Sequence, residues 1–113
     1  MAATAEPYLS DLAALVKKWL DADAKVGVLE CRHFFSGAAA YRSGEIVASL
    51  TPAGLAFKVR GEIHDELLRR RLATPLRYFA AGAIKRDYVC FSDSQAVTPT
   101  DAARLLLGES LAT

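Results

Sequence analysis

Between Leu9 and Leu20 the apolar residues Leu9, Leu12, Leu15, Val16, Trp19 and Leu20 recur at spacings of three and four, which predicts a helix after Pro7 that buries one stripe. Lys17 and Lys18 near its end suit the negative end of the helix dipole. The period then changes to two. Leu29, Cys31, His33 and Phe35 fall on one face of a predicted strand, and Glu30, Arg32 and Phe34 on the other. Gly37 to Tyr41, a Ser43-Gly44 turn and Glu45 to Leu50 read as a hairpin whose glycine suits positive φ. Ile46, Ala48 and Leu50 alternate there with Val47 and Ser49. Thr51-Pro52-Ala53-Gly54 carries turn chemistry, and beyond it Leu55, Phe57 and Val59 alternate with Ala56, Lys58 and Arg60. Residues 29–60 therefore predict three or four antiparallel strands in a meander, apolar face against helices.

Helical spacing returns from Gly61, where Ile63, Leu67, Leu68 and Leu72 mark a stripe that Pro75 closes by disfavouring helix at Thr74. An extended piece at Leu76 to Phe79, a bend at Ala80-Ala81-Gly82 and a strand at Tyr88 to Phe91 follow. Thr98-Pro99 then opens a last helix through Leu105, Leu106 and Leu107, capped by Thr98 or by Thr100. The predicted class is α+β, an antiparallel sheet of about five strands packed against helices in the order helix, meander, helix, two strands, helix.

Composition adds bounds to this pattern. A chain of 113 residues with 52% hydrophobic and 24% charged residues is expected to be one globular domain over residues 1–113. Charges interrupt every apolar stretch before the roughly 18 residues of a membrane span, and Met1 to Asp11 is acidic where a signal peptide is basic and then apolar, so a cytoplasmic protein without a membrane partner is expected. Cys31 and Cys90 form no C-x-x-C and read as free thiols in strands. The net charge of +1 hides an uneven distribution: residues 58–86 hold eight Lys/Arg and three acids.

The element order and its turn residues carry a resemblance. Phe34-Phe35-Ser36-Gly37 stands where the N-terminal domain of the TfoX/Sxy family has Met-Phe-Gly-Gly, and Ala38 to Leu50 matches that family's strand–Gly–strand hairpin. Leu55-Ala56-Phe57-Lys58 is similar to its Leu-Tyr-Leu-Lys strand, Pro75-Leu76-Arg77-Tyr78 to its Pro-Phe-x-Tyr, and Tyr88 to Phe91 to its late aromatic strand. The sequence departs at Phe34 and Ser36, and Leu105 to Leu107 stand where the last helix usually holds a tryptophan. The resemblance implies the same α+β fold and a link to bacterial competence regulation. Full-length members carry a second, C-terminal domain, and this sequence reads as the N-terminal domain alone.

Candidate chemistry is sparse. Phe34-Phe35-Ser36-Gly37 reads as a strand end with two aromatic residues on opposite faces, against the alternative of a ligand-approach loop. Cys31 and His33 at i and i+2 could join Cys90 as zinc ligands, but the spacing fits no zinc module and a fourth ligand is missing, so core thiols are the better account. His64, Asp65 and Glu66 point about 100° apart on a helix, and Asp65 and Glu66 stand four before Arg69 and Arg70, which fits a salt-bridged surface rather than a catalytic group. No nucleophile elbow, dinucleotide fingerprint or Walker loop occurs.

The expectation is a non-enzymatic interaction module, with no catalytic, cofactor or metal residues, acting through protein contacts as a homodimer. Phe34, Tyr41 and Tyr78 are the candidate interface residues. The alternative is a nucleic-acid-associated regulator in which Arg71, Arg77, Lys85 and Arg86 contact phosphates.

Overall fold

The computed structural model describes residues 5–77 and 83–111. Helix α1 (Ala5–Ala22) leads through a 3-10 turn at Ala24–Val26 into four consecutive strands, β1 (Glu30–Phe34), β2 (Gly37–Arg42), β3 (Glu45–Thr51) and β4 (Gly54–Lys58). Helix α2 (Gly61–Arg69), strands β5 (Thr74–Leu76) and β6 (Lys85–Phe91), a second 3-10 turn at Ser94–Ala96 and helix α3 (Pro99–Leu106) complete the chain. All strand pairs are antiparallel in the order β1-β2-β3-β4-β6-β5, so β6 lies between β4 and β5, and β1 and β5 form the edges. This is the α+β architecture of the sequence pattern, with six strands.

The alternation places one residue set of every strand on the helical face. Ala38, Ala40, Ala48, Leu50, Leu55, Phe57, Val89 and Phe91 pack there against Leu12 and Trp19 of α1, Leu67 of α2, and Ala102 and Leu105 of α3. The alanines leave room for α1 to lie close over β2, while Trp19 fills the space above Phe57 with ring centres 5.4 Å apart. Phe57 in turn meets the edge of Phe91 at 6.0 Å. On the opposite face Ala56, Cys90 and Leu76 form a smaller buried cluster with Ala53 and Tyr88 packed against it. Arg42 at the end of β2 ties three parts together, donating from Nη2 to the Val26 carbonyl at 2.9 Å and from Nη1 to the Leu106 carbonyl at 3.3 Å.

Four details depart from the sequence pattern. Phe35 leaves the β1 face: with φ +54° it is the first residue of a two-residue turn that makes β1 and β2 a hairpin of their own. The pairing of β2 with β3 shifts between Ala40–Ala48 and Tyr41–Ile46, so Val47 is the extra residue of a bulge and packs toward the core. Helix α2 stops at Arg69, short of Leu72, because Arg71 adopts φ +59° and Leu72 N–H returns to the Leu67 carbonyl at 3.0 Å. The extended piece after α2 is paired earlier than expected, at Thr74–Leu76, with Pro75 tolerated because β5 is an edge. Thr98 caps α3, accepting from Asp101 N–H at 3.1 Å with Pro99 in the first turn.

Candidate functional site

The two sheet edges differ in what they offer. β5 is three residues long and contains Pro75, which removes a backbone donor and blunts that edge. β1 runs five residues without proline. Across the two-residue turn Phe34 pairs with Gly37, which for so short a loop is a mutually hydrogen-bonded pair. Counting back, Arg32 and Glu30 also direct their backbone groups toward β2, opposite Ala39 and Tyr41, and the N–H and C=O of Cys31 point away from the sheet.

Side chains on and beside this edge are exposed on the face away from the helices. Glu30 Oε1 accepts from Arg32 Nη2 at 2.9 Å, and that hydrogen bond, followed by the guanidinium charge, holds the Glu30 carboxyl below its ordinary range and raises Arg32. The Arg32 guanidinium also lies 5.3 Å from the Tyr41 ring centre. Phe34 is half-buried and its ring stands 4.4 Å from that of Phe35, which is 61% exposed. Val28, just before the strand, is 86% exposed.

Of the expected interface residues, the structure therefore brings Phe34 and Tyr41 onto one face of the β1–β2 hairpin, and Tyr78 lies outside the described residues. Phe35 joins them as the more exposed aromatic. The sequence pattern missed it because alternation continued one residue too far, and the short loop to Gly37 was the available signal. Gly37 has a structural reason: a Cβ there would collide with the Leu50 carbonyl oxygen and lie 2.8 Å from Thr51 Cα.

Cys31 packs toward the helical core, whereas Cys90 belongs to the cluster on the opposite face of β6. β1 and β6 are four strand spacings apart, about 19 Å at ~4.8 Å each, so Cys31, His33 and Cys90 do not converge and the two cysteines do not bridge. Burial raises the pKa of both thiols, and Cys90 Sγ donates to the Ala53 carbonyl at 3.2 Å. Among the described residues no group of three or more His, Cys, Asp or Glu is placed to hold a metal ion. On α2, Arg70 meets Glu66 at 3.4 Å as the spacing predicts, while Asp65 is held by His64 Nδ1 at 2.9 Å rather than by Arg69.

The basic residues 71, 77, 85 and 86 are split. Lys85 and Arg86 open β6 beside His64, Asp65 and Asp87, and the pairing of Leu76 with Lys85 brings exposed Arg77 to the same end. Arg71 stands by Phe91 and Asp101, at the far end of β6 and about 20 Å away along the strand. Lys58 and Arg60, at the start of the basic 58–86 segment, are joined by the distant Arg42 and by Glu45 around a groove of about 420 Å³ above Val59, Ile63 and Leu105. Among the described residues no helix is long and apolar enough to cross a membrane. Comparison with protein-family models, with curated proteins and with solved structures gives no match.

Proposed function

We propose that the protein is a small cytoplasmic interaction module, of the kind its resemblance to the TfoX N-terminal domain implies, that works by pairing its β1 edge with a strand of another chain. A regulatory role would then be exercised through that contact, with a homodimer as the resting state. The observation that carries this reading is the asymmetry of the edges: β5 is short and closed by Pro75, while β1 presents the Cys31 backbone outward between exposed Val28 and Phe35. For the nucleic-acid reading, Arg77, Lys85 and Arg86 share one end of β6 and Arg71 lies at the other, so that reading rests on three of its four cations.

Cys31→Pro removes one of the two outward-facing N–H groups of β1, the other being that of His33, without touching a β1–β2 hydrogen bond. In sedimentation velocity the wild type should associate in the micromolar range, as fits a short pairing surface, and the variant should stay monomeric while melting like the wild type by circular dichroism. A folded variant that associates as strongly as the wild type would show that β1 is not the contact.

A further inference from the structure

The charges on β1 determine how two copies of this edge would fit, an inference that rests on the edge reading above. In an antiparallel pairing of two β1 strands, residues with outward backbone groups must face one another, so the registers differ by steps of two residues. With Cys31 opposite Cys31 of the second copy, Glu30 lies opposite Arg32 of the second copy, and Arg32 opposite Glu30. Slipping so that Cys31 faces His33 sets Arg32 against Arg32, and slipping so that it faces Leu29 sets Glu30 against Glu30. Opposite charges directly across a pair stabilise it and like charges oppose it, so the register with Cys31 facing Cys31 is selected over both neighbours, although the Arg32–Arg32 register would overlap more of β1.

A second observation agrees without using charge. Val28 precedes β1 by two residues, and if the pairing runs on through Leu29 the same register brings it opposite Phe34 of the second copy, whose ring lies 4.4 Å from that of Phe35. Val28, 86% exposed, would then meet an aromatic pair, and the two-fold symmetry would repeat the contact at the other end of the strand. The reverse edge has no such complement, since β5 carries Thr74, Pro75 and Leu76.

We propose that the protein forms a two-fold homodimer by antiparallel β1 pairing with Cys31 facing Cys31 of the second copy, locked in register by reciprocal Glu30–Arg32 ion pairs. Each copy then contributes its whole sheet to one continuous sheet, and all helices lie on the same face of it. The existing contact between Glu30 and Arg32 within one strand, at 2.9 Å, is kept as one side of a four-charge cluster in which each guanidinium touches two carboxylates.

The test is a charge exchange read by sedimentation equilibrium at low salt. E30R places arginine against arginine in a self-pair, and R32E places glutamate against glutamate, so each single variant should dimerise about tenfold more weakly than the wild type. Mixed one to one, the two variants should recover wild-type affinity as a heterodimer, and the E30R/R32E double variant should recover it alone. Both sites are exposed, so all four proteins should melt alike. A mixture no tighter than its components overturns the register, as does a single variant as tight as the wild type or a wild type that stays monomeric. If the mixture fails while Cys31→Pro still abolishes wild-type association, the register falls alone. If Cys31→Pro associates normally, the edge reading falls with it.

Discussion

Arg71 and Gly108 occupy the same position at the ends of two helices, and only one of them is the residue that position favours. After α2, Arg71 N–H bonds to Leu68 and Leu72 N–H to Leu67; after α3, Gly108 N–H bonds to Leu105 and Glu109 N–H to Arg104. Both ends are Schellman motifs, with φ +59° at Arg71 and +74° at Gly108. A side chain in this left-handed region costs about 1–2 kcal/mol against the carbonyl that follows it, a cost glycine does not carry. Arg71→Gly should therefore stabilise the protein by about 0.5–1 kcal/mol after the greater chain freedom of unfolded glycine is counted, raising the thermal midpoint by a few degrees. A midpoint that falls would mean that the Arg71 side chain, which lies near Asp101, contributes more than its backbone loses. The sequence could not show this position: Leu72 continued the apolar spacing, and nothing in an arginine announces positive φ.

At the scale of elements, alternation was a reliable guide where a strand buries one face and packs by itself. Cys31 with Leu50, Leu55, Phe57 and Val59 lie on the side that period two assigned them, because slipping any of these strands by one residue would turn its apolar set to the other face. It failed where hydrogen bonding changes course within a strand. The bulge that turns Val47 inward, the turn that takes Phe35 out of β1, and the insertion of β6 between β4 and β5 are pairing events, and pairing partners do not appear in a local pattern. The candidate edge was legible only in part: Phe34 was visible as an aromatic residue on a polar face and Tyr41 as a candidate contact, but that β1 is an edge follows from strand order alone. Gly37 marks the tightest of these pairings. Since its Cβ would meet the Leu50 carbonyl and Thr51, Gly37→Ala should separate β2 from β3 locally and cost about 2–3 kcal/mol by urea denaturation. A change below about 0.5 kcal/mol would show that the β3 backbone gives way easily there.

Across the whole molecule the helices and the sheet share one main core, and its centre is the single tryptophan. Trp19 is 1% exposed on α1 and rests on Phe57 of β4, which rests on Phe91 of β6, so a line of three rings joins the first helix to the far half of the sheet. α1 has little else that reaches so deep: Leu12 is its other fully buried large side chain among the described residues. Removing the indole would leave a void above Phe57 in a core whose β2 and β3 contributions are largely alanine, side chains too short to fill it. Trp19→Ala should therefore cost about 3–5 kcal/mol, a large share of the 5–15 kcal/mol that holds a domain of this size folded. The wild type should unfold in urea in one transition, seen at the same midpoint by Trp19 fluorescence and by far-ultraviolet circular dichroism, since the fluorophore sits in the core that the other helices also close. A fluorescence change completed well before the helical signal is lost would mean that α1 opens on its own, and the cost of Trp19→Ala would then report the docking of one helix instead of the stability of the fold.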